Sequence, residues 1–403
     1  MATQEVPQAG KELSGDPPDS ADHPAAESVA GTPAAGDLTD DAERLARVIW
    51  SRLVEPADPK AGALVARLGA VEALAEARAG LHSQRYVDKL AALDPVRDIR
   101  NLTTLGGRLL IPSDPEWPES LLRLEAEMPF CLYVVGPLDL GQAGGQAVSI
   151  VGARAATSYG EHMATELALG CADRGLTVVS GAALGIDAAA HRGALAVSGP
   201  TVAVLAGGVD RAYPATNERL IHEIGRFGAL VSEVPVGSAP TRWRFILRNR
   251  IIAALGQATC VVEAGSRSGT TGTAQWADRL SRPVGAVPGP VTSPASYGAH
   301  RLLRNGAVCI TSAAELCELA GPIGTFVLPE GGAAPGERDG LEPHDLRVLD
   351  TLPVRKSITL DELCLQAGLS ESLVLPSLAR LEIRELAEPD ADLWRRARPR
   401  RKP

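Results

Sequence analysis

Within RWRFILRNRII, the first nine residues hold four arginines, Arg242, Arg244, Arg248 and Arg250, and two aromatics, Trp243 and Phe245. The whole chain is only 3% aromatic and carries a formal charge of -9. Guanidinium groups bind phosphate through paired N–H donors, and rings stack on bases. That pairing of chemistries suits an unpaired nucleic-acid strand. Ion pairing with acidic surface residues is the other use of such a charge run, and Trp243 and Phe245 are equally compatible with a core. An apolar run follows, so the pattern predicts a helix over about 247–256 with Arg248, Asn249 and Arg250 at its N-terminus. Cations there oppose the helix dipole, which makes sense if an anion occupies the site.

Two glycine-containing loops carry related chemistry. In IVGARAATSYG, Gly152 lets the backbone come close to a ligand, and Arg154 adds a fixed cation. The helix that follows offers unpaired N–H groups and a positive dipole end. In EAGSRSGTTGTA, the amides and hydroxyls around Arg267, Ser268 and Gly269 would suit a second phosphate. Glycine used for turn geometry alone is the competing reading at Gly152, at Gly181 and in this second loop.

Catalytic and cofactor patterns are missing. Gly152 and Gly160 are too far apart for GxGxxG, and no acidic residue follows the second strand in the ribose-binding place. A dinucleotide cofactor is therefore not expected. Asp187 and His191 lie four residues apart, as an acid/base pair would on one helix face, or as a pair that only fixes the helix. Ser180 has no obvious base, and there is no Walker A, HExxH or GxSxG. Catalytic residues, cofactor and metal are all expected to be none.

The elements that must position these residues are readable from periodicity. Apolar β-type runs occur at 147–151, 176–180, 201–205, 229–233, 259–263 and 283–287. Helical stretches at about 158–174, 185–197, 215–227, 247–256 and 270–281 alternate with them. Continuous Val-rich strands between amphipathic helices predict α/β architecture, an extended Rossmann-like, doubly wound, mainly parallel sheet. Ligands of such a sheet bind at the carboxyl ends of its strands, so the arginines and glycine loops are expected to converge there.

The flanks differ in composition. Residues 1–40 lack periodicity and read as a disordered tail. Residues 41–95 read as a small helical domain in which Gly69 breaks a run. Gly69 is either a plain helix end or, less simply, a phosphate-facing turn. The Rossmann domain is placed at 105–325, a Gly/Pro linker at 326–342 and a winged-helix domain at 343–394. A basic tail over 395–403 is either an electrostatic arm or a solubilising end.

Six cysteines are scattered without CxxC or Cys/His metal spacing. That usage predicts a reduced, cytoplasmic protein without disulfides or zinc. No apolar run approaches the roughly 20 residues needed to cross a bilayer.

Seven motifs occur in an order that resembles the DNA-processing protein A family (DprA, also called Smf). They are VSIVGARAATSYG, VVSGAALGIDAAAHRGAL, AVLAGGVDRAYPATNERL, RFILRNRIIAAL, VVEAGSRSGTTGTA, VGAVPGPV and GAHRLLRNGA. The resemblance covers roughly residues 105–312. It implies a homodimer that binds single-stranded DNA without strong sequence preference, loads RecA recombinase onto it during natural transformation, and is not an enzyme. It implies a DNA pocket containing Arg154, Ser180, Gly181, Arg248, Asn249 and Arg250. Leu184 stands where the family usually has arginine, and Ile246 where it has proline. With that cation absent, either a phosphate contact is lost or Arg242 or Arg244 supplies it. The region 295–320 is the expected dimer surface. Two alternatives remain: a nucleotide phosphoribohydrolase of the lysine-decarboxylase-like type, whose catalytic glutamate SGTTGTAQ lacks, and a duplex-DNA regulator acting through the winged helix.

Overall fold

The computed structural model describes residues 35–265, 269–321, 341–353, 356–390 and 393–397. Most of the expected disordered tail, most of the linker and the end of the basic tail lie outside the described residues. Five helices come first: α1 (Ala35–Leu53), α2 (Pro59–Leu68), α3 (Ala70–Arg78), α4 (Gln84–Leu90) and α5 (Pro95–Thr104). Then come β1 (Gly107–Leu110), a 3-10 segment (Glu119–Glu127), β2 (Leu132–Val135) and α6 (Leu140–Gly145). Strands and helices next alternate: β3 (Ala147–Val151), α7 (Ser158–Asp173), β4 (Thr177–Ser180), α8 (Ile186–Ala196), β5 (Thr201–Val204), α9 (Glu218–Phe227) and β6 (Ala229–Ser232). The alternation continues with α10 (Arg242–Leu255), β7 (Ala258–Val261), α11 (Thr270–Arg279), β8 (Val284–Ala286), α12 (Tyr297–Arg304), β9 (Val308–Cys309) and α13 (Ala313–Ala320). The last group is α14 (Pro343–Thr351), β10 (Ile358–Thr359), α15 (Leu360–Ala367), α16 (Glu371–Ile383), β11 (Ala387–Asp390) and β12 (Leu393–Arg396).

The central sheet has the order β1-β2-β6-β5-β4-β3-β7-β8-β9. This is a mixed α/β fold with a mostly parallel sheet. Its strands are short Val- and Ala-rich runs, buried on both faces as parallel strands between helices must be. By contact the chain divides into two compact units: Met1–Gly145 with Val179–Leu184 and Thr201–Leu255, and Gln146–Val178 with Gly185–Pro200 and Gly256–Pro403.

In the first unit β5 and β6 are parallel, while β2 pairs antiparallel with both β6 and β1. The alternating pattern did not announce β1 and β2, because neither sits between two helices of the repeat. The N-terminal helices close on Trp50, whose ring stacks on Phe130 at 5.9 Å and whose Nε1 donates to Ala70 O at 3.1 Å. Gly69 ends α2 at φ +82°, and its amide donates to Val65 O at 2.8 Å. That amide is spent inside the end of α2, as a plain helix stop requires, and Gly69 also begins α3.

In the second unit β3, β7, β8 and β9 pair in parallel. Helices α7, α8 and α13 cover a core that includes Val148, Ile150, Cys171, Ala190, Cys260 and Ile310. A Cβ on Gly193 of α8 would lie 2.4 Å from Thr165 O of α7, so glycine permits the close approach of these helices. The residues beyond 341 have a separate core of Val348, Leu363, Val374, Leu378 and Leu381. They add a three-stranded antiparallel sheet, β10-β12-β11. Arg395 and Arg396, expected in the basic tail, belong to β12, and Arg395 pairs with Glu388 at 2.7 Å. Hydrogen bonding to β11 draws them into the sheet.

Candidate nucleic-acid interface

In the first unit the cation-rich stretch is helical from its first residue. Helix α10 starts at Arg242, and Thr241 Oγ1 accepts from the Arg244 amide at 3.2 Å. No Gly or Pro interrupts the run to Leu255, so nothing restarts the helix near residue 247. Arg248, Asn249 and Arg250 therefore sit mid-helix, and the expectation that they oppose the dipole at a helix N-terminus is corrected. Arg242 and Trp243 take that position instead. Both are exposed, Trp243 at 60%.

The helix sends its other cations inward. Arg250 is 0% exposed and bidentate on Glu233, at 2.7 and 2.5 Å. It also donates to Glu127 O at 2.7 Å and Leu247 O at 2.8 Å. A buried guanidinium must be matched this way, because leaving either charge alone costs several kcal/mol. Arg250 is thereby corrected from a phosphate contact to an internal ion pair. Arg248 is 4% exposed and donates from Nη1 to Val204 O at 2.9 Å. A Cβ on Gly181 would lie 1.6 Å from that nitrogen, so Gly181 makes room for the guanidinium rather than for a ligand. Ser180 and Gly181 are both buried, and Asn249 is half-buried.

Arg244 forms a two-point pair with Glu55 at 3.0 and 3.1 Å and donates to Ala239 O at 3.1 Å. Such a pair near the surface is worth little and exchanges readily. Above Arg248 lies Phe245, with the guanidinium carbon 5.8 Å from its ring centroid. Tyr213, 49% exposed, packs on the same Phe245 ring, with centroids 5.6 Å apart and the planes tilted by 52°. Sequence reasoning missed Tyr213, which is far from Phe245 in the chain. It also missed Asn217, whose buried Nδ2 donates to Ala182 O at 3.0 Å and Ala183 O at 3.1 Å. That side chain holds the Ser180–Leu184 turn, where Ala182 has φ +54°. Leu184 and Ile246 are both exposed.

In the second unit Gly152 is half-buried and Arg154 is exposed. A Cβ on Gly152 would meet Ile186 at 2.4 Å, so this glycine serves close packing. The N-terminus of α7 is not open to an incoming phosphate. Glu263 is 2% exposed, and its carboxylate accepts from Thr157 N at 2.9 Å and from Thr157 Oγ1 at 2.6 Å. The chain's own anion takes the positive end of the helix, which corrects the expectation of a vacant anion site there. The signal was a carboxylate closing an apolar strand, at the start of the EAG run. In the second glycine loop Gly269 precedes α11, and Thr270 Oγ1 donates to Gly152 O at 2.9 Å. Arg267 and Ser268 lie outside the described residues. Asp187 and His191 are both buried in α8, which leaves no exposed acid/base pair at that position. Among the described residues no helix is long and apolar enough to cross a membrane.

A family model described as DNA recombination-mediator protein A matches residues 108–321. The chain is 43% identical over 366 residues to a Mycobacterium tuberculosis protein named putative DNA processing protein DprA, covering 86% of this chain and 92% of that one. It is 39% identical over 186 residues to the DNA processing protein DprA of Streptococcus pneumoniae, covering 46% of this chain and 65% of the other. The X-ray structure of DNA processing protein A from Streptococcus pneumoniae is similar at a TM-score of 0.60 and 28% identity, covering 68% of this chain and 96% of that one.

Proposed function

The chain belongs to the DNA recombination-mediator protein A family, and from that premise we propose that it binds single-stranded DNA and loads RecA recombinase onto it. The observation that carries the DNA-binding part is the outer surface of the first unit. There Arg242 and Trp243 stand exposed at the start of α10, and Phe245 contacts both the half-exposed Tyr213 ring and the Arg248 guanidinium. Rings fixed by packing offer π-faces to any base, and an adjacent cation attracts the backbone. Arg154 supplies a further exposed cation in the second unit. Arg244 joins when DNA displaces Glu55. Arg248 and Gly181 act by holding the platform, and Arg250 acts by holding the fold.

Action in natural transformation, a homodimer with its contact in 295–320, a helical domain over 41–95 and a winged helix over 343–394 are parts of the same reading. The helix α16 of that last domain carries Arg380, which is bidentate on Asp345 at 2.9 and 2.6 Å, and the same helix also holds Glu371 and Glu382. Its charge is already matched, which counts against the duplex-DNA alternative. Glu263 at the start of α7 counts against a nucleotide hydrolase, whose substrate phosphate would meet a carboxylate there. We read the protein as a mediator, not an enzyme. The deciding experiment is RecA filament assembly on single-stranded DNA coated with single-strand-binding protein. Faster assembly with this protein is expected. An unchanged rate together with normal DNA binding would leave a binding module and remove the loading step.

A further inference from the structure

We infer that Glu263 is a positioning residue that sets the loop carrying Arg154, an inference that rests on the reading of Arg154 as a DNA contact. The loop from Ala153 to Thr157 is tied at both ends to this one residue. At the near end the Ala153 amide donates to the Glu263 main-chain oxygen at 2.7 Å. At the far end the Glu263 carboxylate takes both the Thr157 amide, at 2.9 Å, and the Thr157 hydroxyl, at 2.6 Å. Between the two ties lie only Arg154, Ala155 and Ala156.

The carboxylate is built into place. A Cβ on Gly160 would stand 2.3 Å from Glu263 Oε2, so only glycine at the first turn of α7 admits it. Thr157 Oγ1 donates to Glu263 and accepts from the Gly160 amide at 3.2 Å, which caps the helix and orients the acid together. Ala153 O accepts from the Ile186 amide at 3.2 Å, which fixes the near end from a second side. Glu263 is itself buried, so its carboxylate is held by these bonds rather than by solvent, and hydrogen bonds to a carboxylate are stronger than neutral ones.

Two consequences follow for a bound strand. The loop is ordered before DNA arrives, so less conformational entropy is lost on binding. The carboxylate also repels phosphate from the α7 amides, which leaves the Arg154 side chain as the anion-seeking group of the loop.

The test compares Arg154→Ala, Thr157→Val, Thr157→Ser and the double variant Arg154→Ala with Thr157→Val. Affinity for a labelled oligo-dT is read by fluorescence anisotropy, beside a thermal melt of each. Thr157→Val keeps the side-chain shape and removes the hydroxyl. It is expected to weaken binding by about threefold to tenfold, with Thr157→Ser restoring most of the loss. The double variant is expected to bind no worse than Arg154→Ala alone, because a loop without its arginine has nothing to position. Wild-type affinity of Arg154→Ala would overturn the reading of Arg154 itself. A weak Arg154→Ala beside a Thr157→Val of full affinity, or simple addition of the two losses, would overturn only the role of Glu263. A lowered melting temperature in Thr157→Val does not obscure the result, since a general loss of stability would not be cancelled by removing Arg154.

Discussion

Arg250 and Glu233 face each other in the interior of the first unit, two nitrogens against two oxygens at 2.7 and 2.5 Å. One of the two arginines in the RNR run is thus spent on holding α10 to the end of β6. Arg250→Ala leaves the Glu233 carboxylate buried and unpaired, at a cost of about 3–5 kcal/mol. The expected outcome is a large drop in the urea midpoint, with DNA affinity per folded molecule unchanged. A stable variant that no longer binds oligo-dT would return Arg250 to the DNA site.

Gly181→Ala tests the other inward arginine. The new methyl would occupy the place of Arg248 Nη1 and drive the guanidinium away from Val204 O. Overpacking and the lost hydrogen bond together are expected to cost about 1–3 kcal/mol. Denaturant melts measure the loss. Because Arg248 supports Phe245, DNA affinity should fall as well.

Salt dependence separates the exposed groups by their chemistry. Trp243→Ala removes stacking worth about 1–3 kcal/mol per base, and should weaken binding by a similar factor at every salt concentration. Arg154→Ala and Arg242→Ala should each flatten the slope of log affinity against log salt by about 0.7. A Trp243→Ala variant with an altered slope and unaltered intercept would contradict the stacking assignment.

The C-terminal segment should show an acid-sensitive step. Arg380 donates to Asp345 and holds its carboxyl below the ordinary value of 3.8. A depressed carboxyl stabilises the fold fully above its unfolded value and loses that contribution as pH falls through the folded one. Thermal melts below about pH 3.8 should therefore show this segment weakening, and Asp345→Asn should remove that part of the pH dependence.

Thiol labelling reads burial directly. Burial pushes the Cys131 and Cys260 thiols up to about 12, whereas Cys309 is exposed on β9. Mass spectrometry after brief alkylation near pH 8 should find Cys309 modified first, with Cys131 and Cys260 protected until the protein unfolds. Cys309→Ser should abolish the fast phase.

Much of the architecture was legible in the chain because it repeats. Buried parallel strands are apolar on both faces, and the helices between them are apolar on one, so 147–151 and 259–263 stand out without any neighbour being known. Strands β1 and β2 stood outside that alternation, and their place in the sheet depends on pairing with β6. The stretch from Arg242 showed which residue types were concentrated there, but helix phase alone did not tell which cations turn inward. That depended on Glu233, Glu127 and Val204, all distant in the chain.

Residue order alone determined the alternation of strand and helix, the family likeness and the presence of guanidinium groups and rings in one segment, because these rest on local pattern. Only the tertiary structure decided that Arg250 is an internal ion pair, that Tyr213 flanks Phe245, and that Glu263 fills the start of α7. Each of these joins residues 17 to 106 positions apart, and the 106-residue case is Glu263 with Thr157. A charge is satisfied by whatever partner the fold brings within hydrogen-bond reach, and reach in space is not written in spacing along the chain.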